Sequence, residues 1–366
     1  METGGPVIFE GGLKASELHS RDGDLDIRGN LEIQDSISIS DGSLHVSGSL
    51  SAADVDIDRH LEVLGALTAA RLQAGSRIAI HGQLKAESVE VGGSLEALES
   101  AEVDEIEAGG SVRITKQVKA KSIDVGGSVV VGGGSVAEDI DVGGTFESTG
   151  PLEFNDIDVG GSVWLKGDSL GRRIDVGGVF NVSGNLKFED IDVGGKVKIE
   201  GNCEGEDIDV GGLLEVTGNL DLTGGLEVGG RCRIDKMLTA GRVEIGGSLE
   251  AERVKVGDIE IGGAILTKSG VKAGSIVIGD RGRVRGALFA DSVRIGEKAD
   301  VEAVYAKTVT LEEKSRATLV HGVDVRIEPG CRILGEVLYS GSLDADEGVL
   351  FTVSPKKVDS LPAESA

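Results

Sequence analysis

The residues best placed to do chemistry in this sequence are carboxylates that return to the same slot. From Glu90, acids follow at intervals of 16 to 18 residues: Glu107, Asp124, Asp141, Asp158, Asp175, Asp192, Asp209, Glu227, Glu244 and Glu260. Brought into one column, they could dock a basic protein or cations, since hard cations such as Ca²⁺ take several carboxylate oxygens. The alternative is a charged ladder that keeps sheet faces soluble and stops sideways aggregation. Asp139, Asp156, Asp190 and Asp207 widen the stripe. The Gly-Gly-x-Gly-x-Asp phrase of calcium-binding solenoids is absent, and beyond Glu260 the slot changes to Val277, Arg294, Thr310 and Arg326.

Other chemistries find less support. His19, His45, His60, His81 and His321 share no register with a nucleophile or an acid partner; only His321 is conceivable as a catalytic base. Cys203, Cys232 and Cys331 are far apart, odd in number and in no metal spacing. They read as buried fillers, and they fit a reducing cytoplasm. The recurrent Gly-Gly is followed by no Gly-Lys-Ser/Thr and opens no helix, so it is not a phosphate loop. No catalytic, metal or cofactor-binding residue is expected, and the chain reads as a non-enzyme.

What positions these acids is a repeat. Ile-Asp-Val-Gly-Gly begins at Ile123, Ile140, Ile157, Ile174, Ile191 and Ile208, always 17 residues apart. With the isoleucine as position 1, apolar residues fall at 1 and 3, 7 and 9, and 13 and 15. Each pair brackets a polar residue, which is the period-2 signature of a strand with one buried face. Each coil therefore holds three short strands. Glycines at positions 4 and 5 are expected to turn the first corner through positive φ. A glycine at position 11 (Gly167, Gly184, Gly201, Gly218) is expected to turn the second.

One coil cannot bury its apolar residues alone; stacking builds a continuous core. The expected fold is all-β, a single long three-sided parallel β-solenoid of about 20 coils of 16–18 residues. At ~4.8 Å per coil it would be a rod of roughly 100 Å. Coils from Val243, Val293 and Val309 are one residue short, with the gap at the second corner. Composition agrees: 58 glycines, 5 prolines and 3% aromatics among 366 residues describe a narrow Val/Ile/Leu/Ala interior rather than a globular core.

A formal charge of −26 disfavours nucleic acid and anionic lipid as partners. No basic and apolar leader and no run of about 18 apolar residues is visible, so a cytoplasmic protein without direct membrane insertion is expected. Position 14, polar in most coils, becomes Phe289, Tyr305, His321 and Leu338 on four successive coils. This reads as an exposed apolar strip for lateral contacts, or as a patch covered by the C-terminal tail. Trp164, outward in the acidic region, reads as incidental. Leu350, Phe351 and Val353 make an apolar final coil with no capping helix, a template for a second chain.

From about Ile259 to Ser340 the chain resembles the bactofilin, or polymer-forming cytoskeletal, domain. The resemblance rests on "VRGALFADSVRIGEKADVEAVYAKTVTLEEKSRATLVHGVDVRIEPGCRILGEV", and most of all on Val325-Arg-Ile-Glu-Pro-Gly-Cys-Arg-Ile-Leu-Gly335. It implies a right-handed helix that polymerises end to end into nonpolar filaments without nucleotide or cofactor. It also implies roles in cell shape or in localising other proteins. The expected organisation is a short tail (1–6), Gly-Gly-rich repeats (7–258), a bactofilin-like continuation (259–353) and a disordered tail (354–366). The expected partners are further copies of itself, and beyond those other bactofilins or a basic protein. The alternative function is a non-polymerising acidic rod that serves as a binding platform or regulates a shorter bactofilin.

Overall fold

The computed structural model describes residues 2–4 and 6–362. Its secondary structure is all strand, and the chain winds through about 21 turns of parallel β-solenoid. The chain packs as two compact units, Met1–Gly184 and Asn185–Ala366. In the first unit Ile123 pairs with Ile140, Ile140 with Ile157 and Ile157 with Ile174, each in a parallel ladder. In the second, Ile191 pairs with Ile208 and Ile208 with Leu226. The repeated five residues therefore stack on their own copies.

The alternation in the sequence sets which side chains go inside. Val125, Val142, Val159 and Val176 are essentially inaccessible, as are Val112, Phe146, Val163 and Phe180 on the second face. Cys203, Cys232 and Cys331 lie inside as expected. Burial raises the Cys203 thiol pKa, and that of Cys232 to about 12. The one-residue gaps fall at second corners, where the ladder slips between Ile234 and Met237 and between Val284 and Ala287.

The corner glycines are needed for a reason other than the one expected. Gly143, Gly160 and Gly177 are not in the positive-φ region. A Cβ on Gly177 would instead stand 2.5 Å from the carbonyl oxygen of Gly160, and one on Gly143 2.5 Å from that of Gly126. Stacked corners approach so closely that only hydrogen fits between them. Left-handed backbone appears elsewhere: at Asp22 (φ 57°) and Asp41 (φ 54°) in early coils, and at Arg281, Lys298 and Lys314 in late ones. The chain thus uses two solutions to the same corner. At the second corner Gly167 does take positive φ (94°), whereas Gly218 does not, and a Cβ there would stand 2.2 Å from Gly201 O.

Two further devices hold the stack. In the second unit Asn185 and Asn202 each accept, through Oδ1, the backbone N–H of the asparagine one coil on, at 2.9 and 3.0 Å. Phe154 and Phe188 are longer than their slots allow. Their rings lean over Gly171 and Gly205, where a Cβ would overlap the ring.

Both segments expected as tails contain strands. Glu2–Gly4 pairs with Leu18–Arg21, and Lys356–Lys357 pairs with Leu338 and Tyr339. A free strand edge next to each segment supplies the partners their backbone groups need. Residues 1, 5 and 363–366 of the expected tails lie outside the described residues.

Candidate functional site

The ladder register builds the acidic column coil by coil. In the first unit Glu107, Asp124, Asp141, Asp158 and Asp175 are directly opposed in sequence order. In the second, Asp192, Asp209, Glu227, Glu244 and Glu260 are opposed in the same way. All of them are exposed. Cations relieve the edges of the stripe: Arg172 donates to Asp156 at 2.7 Å and Arg242 to Glu244 at 3.3 Å. Asp141 has its pKa raised, first by partial desolvation and then by Asp124, Asp158 and Asp139 around it. The column is therefore a strip of repulsion on stacked strands. Among the described residues no group of three His, Cys, Asp or Glu side chains could hold a metal ion.

The expected exposed strip at Phe289, Tyr305, His321 and Leu338 is corrected by the structure. The column exists: the four residues are opposed in turn on adjacent strands. The Phe289 and Tyr305 rings stack at 5.0 Å, and Tyr305 meets His321 edge-on at 5.1 Å. It is not open to solvent, because His321 and Leu338 are each only 7% exposed and the two aromatics are half-buried. After pairing at Lys356–Lys357, the chain donates from Val358 N–H to Tyr339 O at 2.9 Å. Leu361 and Pro362 then line a cavity of about 350 Å³ with Phe289, Tyr305 and His321. Apolar side chains at an outward slot gain by being covered, and this segment covers them. His321 Nε2 pairs with Glu336 at 3.0 Å, while its Nδ1 is buried without a partner.

Of the remaining histidines, His45 and His81 share one carboxylate. Glu62 lies 3.1 Å from His45 Nδ1 and 3.6 Å from His81 Nε2 on an exposed face. No nucleophile is hydrogen-bonded there beyond a 3.4 Å contact from Ser47 to His45. Among the described residues no helix is long and apolar enough to cross a membrane.

The final coil carries the rest of the expected interface. Leu350 is 59% and Val353 49% exposed, and Phe351 is half-buried. Within the described residues the strand Leu350–Phe351 pairs only with Arg332–Ile333. Ile8, at the other extreme, is not among the expected interface residues. Among the described residues strand Val7–Phe9 pairs only with Leu25–Ile27, and Ile8 is 56% exposed. The signal was present: Ile8 fills a slot that holds His45, Glu62 and Glu96 in later coils. No family model, curated protein or solved structure matches the chain.

Proposed function

We propose that the protein is a structural scaffold of bactofilin type, self-assembling end to end into filaments or oligomers without nucleotide. In this reading it is a cytoplasmic protein that supports cell shape or localises other proteins. The observation that carries the reading is the pair of terminal strands. The strands Val7–Phe9 and Leu350–Phe351 are apolar throughout, and among the described residues each bears a ladder on one side only. An unpaired edge with apolar side chains on both faces is a template for another chain.

The charges of the last coil suit contact between two copies related by a two-fold axis. With Leu350–Phe351 against its own copy, antiparallel, Leu343–Ala345 faces Lys356–Lys357 of the other copy, so that Asp344 meets Lys356. Such a joint has no polarity, as the family resemblance implies. Sedimentation velocity and electron microscopy of the purified protein test the reading. Assemblies that shorten or vanish in Phe351→Arg support it, and unchanged assembly in that variant contradicts it.

A second reading is favoured by the directly opposed acids from Glu107 to Asp175 and from Asp192 to Glu260. A basic partner binding along them would relieve their repulsion, which suits a non-polymerising platform or a regulator of a shorter bactofilin. A sharp monomer or dimer boundary at high concentration supports this alternative.

A further inference from the structure

The segment that covers the aromatic column is held lightly. Its only strand is Lys356–Lys357, the backbone bond beyond it is Val358 to Tyr339, and Thr352–Ser354 before it is exposed. The groove beneath is more elaborate than a tail rest requires. Its floor is a run of small residues, Ala273, Ala290 and Ala306, opposed coil by coil. Its wall is the Phe289, Tyr305 and His321 stack. A small-residue floor beside an aromatic wall accepts an extended peptide that carries a leucine and a proline, and Leu361 and Pro362 sit there now.

We propose that this groove is a peptide-docking site for Val358–Pro362 and that the occupant is exchangeable. At high local concentration, the segment of a second copy of this chain takes the place of the resident one. The reasoning is one of competition. Lys272, Asp291 and Lys307 rim the groove, and its aromatic wall is unfavourable to leave open, so it favours an occupant. A short tether gives the resident segment an effective concentration of order millimolar. A neighbour's segment therefore wins only where copies are crowded. Exchange of an identical element between copies adds no new contact chemistry and joins them at little cost in free energy. This linkage does not rest on the terminal strands proposed above for end-to-end assembly.

The test uses full-length chains. One bears Leu361→Cys, the other Ala290→Cys; they are mixed and treated with a short bis-maleimide. The native cysteines are buried and do not compete. Covalent heterodimer is expected to exceed that of a control mixture with Thr68→Cys in place of Ala290→Cys. It should grow with protein concentration, fall when excess unmodified chain competes, and fall when Tyr305→Lys is added to the Ala290→Cys chain. A Pro362→Cys donor, which keeps Leu361, covers the case in which Leu361→Cys loosens the segment. Repeating the mixture with Ile8→Asp and Phe351→Arg in both chains separates the groove from the terminal strands. Cross-links confined to a single chain carrying both cysteines, with mixtures of either donor no better than the control, would overturn the proposal.

Discussion

Gly177→Ala tests the physical reason for the Gly-Gly corners. The added Cβ would lie 2.5 Å from Gly160 O, nearly an ångström inside ordinary van der Waals contact. Neither partner can yield easily. Gly177 N–H donates to Val159 O at 3.0 Å, Gly160 N–H to Val142 O at 3.1 Å, and both corners lead into ladders on either side. Forcing extra volume into such a place costs about 1–3 kcal/mol, and a strained hydrogen bond adds about 1 kcal/mol. Alanine returns about 0.4–1 kcal/mol by restricting the unfolded chain. The net expectation is a loss of about 2 kcal/mol. Trp164, the only tryptophan, stands in the strand Ser162–Lys166 that follows the Gly160 corner and pairs with the strand after Gly177. Its fluorescence during guanidinium unfolding reports these coils even if a repeat array does not unfold as one unit. An unchanged or raised midpoint in Gly177→Ala would refute close approach as the reason for these glycines.

Other expected outcomes follow from the same geometry. Gly205→Ala, which would overlap the Phe188 ring, should cost about 1–3 kcal/mol, and Phe188→Leu in the same chain should recover part of the loss on thermal unfolding. Asp141 holds its proton more tightly folded than unfolded, so its repulsion is fully present at neutral pH and is lost as pH falls through its raised folded pKa into the ordinary carboxylate range. Asp141→Asn should therefore gain about 0.5 kcal/mol at neutral pH, with no gain in acid, as read by urea midpoints across pH. The three thiols should be silent to a thiol reagent in the native protein and should all titrate after unfolding, since burial raises the thiol pKa of Cys203 and Cys232. Reaction of a native thiol would contradict the buried register.

The coil was legible because its signal is local and repeated. Isoleucine and valine two residues apart declare a strand face, and the constant spacing declares what stacks on what. That reasoning reached the opposed acids, the buried cysteines and the second-corner gaps at 251–253 and 301–303. The cause of the Gly-Gly pair was not legible, because a glycine looks the same whether it serves φ or closeness. The structure tells the two apart: Gly177 lies outside the positive-φ region, and a Cβ on it would stand 2.5 Å from Gly160 O. The Phe188–Gly205 pairing was hidden for a related reason: it joins residues 17 apart whose fit depends on ring length. The column at Phe289, Tyr305, His321 and Leu338 was legible as a line of side chains, yet its burial depends on where residues 358–362 turn. Their sequence has no period to read.

The account stands most directly on the terminal strands. Sedimentation velocity of the purified chain beside Ile8→Asp, Phe351→Arg and the double variant measures them together. Large, concentration-dependent species in the parent that collapse to a single small species in the double variant, with circular dichroism unchanged, are the expected result. A parent that sediments as one small species at every concentration, or a double variant that assembles as the parent does, would contradict the account.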